Sequence, residues 1–179
     1  MATHETILDD SPRIKRLPEK LINQIAAGEV IDRPASIIKE LVENSIDAGA
    51  TRVEVNLKNG GIDEIEIIDD GIGMGARDLA LSIERHATSK ISEEADLENV
   101  ATYGFRGEAL SSISSVAEVE LLSRLKTSAM GHKLQVEFGE AQELVPKASS
   151  QGTRISVKKL FSCTYFSCNL IFVGLITSI

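Results

Sequence analysis

Pro34-Ala35-Ser36-Ile37-Ile38-Lys39-Glu40-Leu41-Val42-Glu43-Asn44-Ser45-Ile46-Asp47-Ala48-Gly49 reads as one amphipathic helix with a defined start and stop. Ile37, Ile38, Leu41, Val42 and Ile46 recur at helical spacing, while Ser36, Glu40, Glu43, Asn44 and Asp47 take the other side. Proline suits the first turn, where its missing N–H leaves nothing unpaired, and glycine suits the stop. Glu40 and Asn44 stand one turn apart on a shared face. They offer a carboxylate able to take a proton from water and an amide oxygen able to enter the oxygen shell of Mg²⁺. By themselves the two also fit an ordinary solvated helix face.

Upstream, Pro18 opens a shorter helix with an apolar stripe at Leu21, Ile22 and Ile25, and Gly28 is placed to end it. Residues 1–16 are polar and irregular and read as an arm. Downstream, Val53, Val55 and Leu57 alternate with Glu54, Asn56 and Lys58, the pattern of a half-buried strand. Asn59-Gly60-Gly61 turns the chain into a return strand through Ile65 and Ile67 to Asp69. Further strands are expected at 119–121, 134–138 and 155–157, giving an α+β domain with a mainly antiparallel sheet.

Asp69 ends an apolar strand, so its carboxylate must find donors or lose its charge. The exocyclic amine of adenine is one such donor, and Gly71 and Gly73 in the following turn would let backbone and base approach closely. A plain strand-to-helix turn capped by Asp69 is the alternative. The stretch from Arg85 to Leu110 gathers Thr88, Ser89, Lys90 and Arg106 with small residues at Gly104, Gly107 and Ala109. Glycine amides and the start of a short helix over 108–115 would donate to phosphate oxygens, with flexible flanks closing as a lid. His86 is expected to be structural, since a single histidine without ligand partners makes no metal site. No Gx₄GK[ST] loop and no GxGxxG spacing is present, so neither a P-loop nor a dinucleotide turn would hold the nucleotide.

A formal net charge of −8 over 179 residues argues against a whole-surface electrostatic grip on nucleic acid, so DNA would be bound only locally or through sequence outside this chain. Cys163 and Cys168 form no CxxC pair or disulfide framework, and the N-terminus lacks the pattern of a signal peptide, which fits a reducing compartment. The last 18 residues, Ser162 to Ile179, carry no charged side chain. Asn169, several Ser and Thr, and the thin basic flank of Lys158 and Lys159 argue against a membrane helix. The expectation is an ATP-binding domain over 17–161 followed by an atypical uncharged tail over 162–179, unrelated to it and read as the result of a truncation or a failed reading frame.

Asn23-Gln24-Ile25-Ala26-Ala27-Gly28-Glu29-Val30, Arg33-Pro34-Ala35-Ser36 and Lys39 to Gly49 resemble the MutL-type mismatch repair proteins. So do Arg85-His86-Ala87-Thr88-Ser89-Lys90-Ile91 and Gly104-Phe105-Arg106-Gly107-Glu108-Ala109-Leu110-Ser111-Ser112-Ile113. The resemblance implies the Bergerat-type nucleotide fold shared with gyrase B, the ninety-kilodalton heat-shock chaperones and sensor histidine kinases. That fold is a mainly antiparallel mixed sheet backed by helices, with ATP beneath a mobile lid.

It further implies Glu40 as general base, Asn44 as Mg²⁺ ligand, and Asp69 as acceptor of the adenine amine with Gly73 beside the base. Thr88 and Lys90 would serve the phosphates, the segment Gly104, Phe105, Arg106, Gly107, Glu108, Ala109 and Leu110 would wrap them, and the hydroxyl of Thr153 would lie near Asp69. The implied partners are ATP, mismatch-recognition and other repair proteins, and a second subunit in a homodimer or heterodimer, in the cytoplasm of a bacterium or the nucleus of a eukaryote. In the family a second domain sends a lysine to the γ-phosphate, whereas here Phe161 is followed by Ser162-Cys163-Thr164. Two readings result: an ATPase whose nucleotide cycle gates dimerisation, or a module that binds ATP without turnover. Strand nicking has no support in these residues.

Overall fold

The computed structural model describes residues 14–88, 107–160 and 162. Helix α1 (Glu19–Val30) and helix α2 (Pro34–Asp47) come first. Strand β1 (Val53–Lys58) and strand β2 (Glu64–Asp69) follow, joined through a 3₁₀ turn at Asn59–Gly61. A short helix α3 (Ala76–Leu81) precedes the undescribed 89–106, after which come α4 (Ala109–Val116), β3 (Glu118–Arg124) and β4 (Gly131–Glu137). The two-residue β5 (Glu140–Ala141), the short β6 (Val145–Lys147) and β7 (Gly152–Lys158) complete the chain order.

The strands form one sheet in the order β1-β2-β7-β3-β4-β5, with β6 also on β4, and every described pairing is antiparallel. The last strand thus lies between the second and third. Its register sets Asp69 opposite Thr153 and Thr153 opposite Ser123, so three polar side chains share one level and one face. Below them on that face, Ile65, Ile67, Ile155, Val157, Val119, Leu121, Leu134 and Val136 are buried against Ile37 and Leu41 of α2 and Ile113 and Val116 of α4. This is an antiparallel sheet with helices on one side, as the family resemblance implied.

Several sequence expectations are corrected in detail. Gly28 lies inside α1, which runs two residues further, because Ala27 and Ile31 bury one turn apart and carry the helix past the glycine. The stripe of Leu21, Ile22 and Ile25 is partly exposed, as is Ile46 at the end of α2. β1 is a largely exposed edge strand, since α2 packs chiefly over β2 and leaves Val55 and Leu57 uncovered. β4 stops at Glu137 because Phe138 adopts a positive φ of 48°.

The opposite face of the sheet is a lattice of charges. Glu64 receives both Lys58 and Lys158, Glu66 receives Arg154, Glu120 receives Lys133 and Glu118 receives Lys159. Hydrogen bonds from Lys58 above all, then from Ser156 and Lys158, hold the Glu64 carboxyl at about 2, below its ordinary 4.5, against the opposing effect of burial. A carboxyl depressed in the folded state contributes stability at pH above its unfolded value, and that contribution is lost as pH falls through the folded value. Between pH 4.5 and about 2 the folded protein should therefore lose stability through Glu64, and Glu64→Gln should flatten that part of the acid profile. Urea unfolding across this range measures it; equal slopes in both proteins would exclude the Glu64 contribution.

Candidate nucleotide site

Asp69 stands at the last position of β2 and is 8% exposed. Its Oδ1 accepts from the backbone N–H of Gly71 at 3.0 Å and of Thr153 at 3.2 Å. Its Oδ2 accepts from the hydroxyl of Ser45 at 3.0 Å. An ionised carboxylate has about four acceptor directions, and three are taken by described residues. The fourth, on Oδ2, meets no donor among the described residues. Ser45, buried on α2 between Leu41 and Gly49, brings the helix of Glu40 and Asn44 to this carboxylate. The i,i+4 spacing then sets Glu40 one turn before Asn44 and Asn44 next to Ser45.

The next residue fastens the turn from outside. Asp70 Oδ1 accepts from the N–H groups of Thr51 and Arg52 at 2.7 and 2.8 Å, and Oδ2 from the Thr51 hydroxyl at 2.6 Å. The Thr51 hydroxyl, then the Arg52 N–H, holds the Asp70 carboxyl below the ordinary range. Ile72 N–H donates to the carbonyl of Ala48, so the end of α2 and the turn after β2 move as one piece.

Gly73 has a positive φ of 71°, and a Cβ there would lie 2.1 Å from the carbonyl oxygen of Arg124. The visible reason for this glycine is therefore the approach of the turn to the end of β3; closeness to a base is a separate matter. Gly152, at φ 103°, is held in the same way, with a Cβ position 2.0 Å from the Asp69 carbonyl. Ser123, fully buried, accepts from the Met74 N–H at 2.8 Å and stands 2.9 Å from the Thr153 hydroxyl.

The described residues on either side of 89–106 are also joined. Arg85 donates to the side-chain oxygen of Asn23 on α1 at 2.7 Å, and Glu108 at the head of α4 faces His86 Nδ1 at 3.3 Å and Arg85 at 4.0 Å. A Cβ on Gly107 would lie 2.4 Å from the Ala87 carbonyl, so the chain before residue 89 and the chain after residue 106 meet beside Thr88. Gly107, Glu108, Ala109 and Leu110 lead into α4, which packs on α1 and α2. Lys90, Gly104, Phe105 and Arg106 lie outside the described residues.

An open recess of about 300 Å³ is lined by Ile68, Asp69, Leu122, Thr153, Arg154 and the 148–152 loop. Ile68, Leu122 and Arg154 alternate with Ile67, Leu121 and Ile155 and so lie on the opposite sheet face, while Asp69 and Thr153 at the strand ends also border the recess. Asp69 and Thr153 thus belong both to the polar convergence and to the border of this recess. Among the described residues no group of three or more His, Cys, Asp or Glu side chains could hold a metal ion. Ser45, Asp70 and Ser123 were missed by sequence reasoning. Only the order of strands in the sheet reveals that Ser123 lies two strands from Asp69.

Residues 32–163 match the model of the histidine kinase-, DNA gyrase B-, and HSP90-like ATPases. The chain belongs to that ATPase family. Over 148 residues it is 57% identical to the DNA mismatch repair protein MutL of Xylella fastidiosa strain M23, and 55% identical to MutL of Xanthomonas campestris pv. campestris strain B100. Those stretches are 83% of this chain and 24% of each relative, so the chain spans about a quarter of their length. The crystal structure of the N-terminal domain of a DNA repair protein aligns with a TM-score of 0.68 at 29% identity, covering 87% of this chain and 44% of that one. The Aquifex aeolicus MutL ATPase domain complexed with ADP aligns with a TM-score of 0.54 at 32% identity, over 80% of this chain and 47% of that one. This ATPase-family fold is thus found here with a MutL-like sequence. No helix among the described residues is long and apolar enough to cross a membrane.

The clash at Gly73 gives a prediction for stability. Gly73→Ala places a Cβ against the Arg124 carbonyl in a backbone conformation that disfavours any side chain. A loss of at least about 1 kcal/mol is expected. The urea midpoint of the variant measures it, and an unchanged midpoint would mean that the turn has room to shift.

Proposed function

We propose that this chain is the ATP-binding and slowly hydrolysing domain of a DNA mismatch repair protein, whose nucleotide cycle gates dimerisation. The single observation that carries the reading is the Asp69 carboxylate, held by Ser45, Gly71 and Thr153 with one acceptor direction open among the described residues. A carboxylate so placed takes a donor, and an adenine amine is one. The ADP complex of the Aquifex aeolicus MutL ATPase domain, on a related fold, supports this choice of ligand.

In this reading Asn44 supplies an amide oxygen to Mg²⁺, which when bound offsets the charge of the phosphates. Glu40, one turn earlier, accepts the proton of the attacking water. Thr88, Lys90 and the segment from Gly104 through Phe105, Arg106, Gly107, Glu108 and Ala109 to Leu110 contact the phosphates, with Gly73 beside the base. A lid ordered by those phosphates creates a new surface for a second subunit, which is how binding becomes a switch. In this proposal 17–161 is the functional unit, repair partners and DNA engage regions beyond it, and the protein works in the cytoplasm or nucleus.

Asp69→Asn tests the base contact. The amide oxygen can replace Oδ1 toward Gly71 and Thr153, while the amide nitrogen replaces Oδ2 and meets the incoming amine donor to donor. Folding should persist and ATP affinity should drop by about 1 to 3 kcal/mol. Titration calorimetry with and without Mg²⁺, with Asn44→Ala alongside, reads both contacts; parental affinity in Asp69→Asn would reduce Asp69 to a turn residue.

Glu40→Ala tests turnover separately. Binding should survive and phosphate release should fall by about 10²- to 10⁴-fold, the usual worth of a general base. The parent chain is itself expected to turn over slowly. Hydrolysis that persists in Glu40→Ala would assign the proton to another group.

A further inference from the structure

The contacts of Ser123 fix a proton that no single distance locates. Its hydroxyl oxygen has three polar neighbours: the N–H of Met74 at 2.8 Å, the carbonyl of Gly152 at 3.0 Å and the hydroxyl of Thr153 at 2.9 Å. Met74 can only donate and the Gly152 carbonyl can only accept. A serine hydroxyl has one proton and two lone pairs, so one arrangement makes all three contacts hydrogen bonds. The proton of Ser123 goes to Gly152, one lone pair takes Met74, and the other takes the proton of Thr153. Ser123 is fully buried, where a missed hydrogen-bond partner is costly, so this arrangement is strongly favoured.

Thr153 has then spent its proton inward. It lies opposite Asp69 in the β2–β7 register, on the same sheet face and equally exposed at 8%, and its backbone N–H already serves the Asp69 carboxylate. Its side-chain oxygen then keeps only lone pairs for any further partner, next in register to a carboxylate that its own backbone N–H serves. We propose that Ser123 is a positioning residue that makes Thr153 an obligate acceptor and so sets the preference of the base site for a 6-amino purine over a 6-oxo purine. This rests on the adenine-site reading above. An exocyclic amine carries two hydrogens to offer to two acceptors. A 6-oxo group brings a third acceptor and is repelled.

Removing Ser123 frees the Thr153 proton to turn toward the site and donate to a 6-oxo group. Ser123→Ala should therefore lower the ratio of ATP affinity to inosine triphosphate affinity by about tenfold, the scale of one mispaired buried polar contact. The ratio is measured by calorimetry within one preparation of the full chain, so a reduced folded fraction cancels. Thr153→Val removes the same lone pairs without touching Met74 or Gly152, and it should lower the ratio as well. Thr153→Ser, which keeps the hydroxyl, should hold it. Ser156→Ala removes a serine on the opposite sheet face and should leave it unchanged. If Ser123→Ala and Thr153→Val keep the parental ratio while the parent prefers ATP, the orienting role is overturned and the adenine site stands. A parent chain that binds neither nucleotide overturns the site, and the inference with it.

Discussion

A carboxylate at the end of an apolar strand is costly to bury, and the architecture converges on the donors that offset that cost. Asp69 draws one hydrogen bond from helix α2, one from the turn that follows its own strand and one from the last strand of the sheet. These elements are separated by up to 84 residues in the chain. Each is tied down again nearby: Asp70 binds Thr51 and Arg52, in the link between α2 and β1, to the turn, and Ser123 binds the turn to β7. A shift in any one would strand a buried polar group, so the site is stiff where it would grip a base.

The two faces of the sheet divide the physical labour. One buries aliphatic side chains against α2 and α4 and carries the polar row of Asp69, Thr153 and Ser123 at one end. The other is wet and its acidic residues are matched to lysine and arginine across neighbouring strands. Cross-strand ion pairs of this kind contribute little each, about 0 to 1 kcal/mol, but they fix register and leave no basic stripe there for a polyanion. The net charge of −8 is thus consistent with a domain whose business is a small anionic ligand held by a local site.

The helical span of α2, the strand ending at Asp69 and the glycine turn after it were legible because each depends on periodicity or on residues with restricted backbones. α2 begins at Pro34 and gives way at Gly49, whose φ is 69°, as its termini indicated. Where reading by pattern went astray, burial was decided by a distant element. Val55 and Leu57 alternate like a half-buried strand yet stand uncovered, because β1 is an edge and α2 sits over its neighbour. The stripe on α1 is helical as read, yet its burial is partial for a similar reason.

The sequence alone determined what is local and chemical: helix and strand periods, the turn at Gly71 and Gly73, a carboxylate in need of donors, and motifs long enough to mark the ATPase family. Tertiary structure alone decided which donors that carboxylate receives. β7 enters the sheet between β2 and β3, so Thr153 and Ser123 become neighbours of Asp69 although nothing in their spacing announces it. Hydrogen-bond satisfaction in a buried site is a property of packing, and packing brings together residues that the linear order keeps apart.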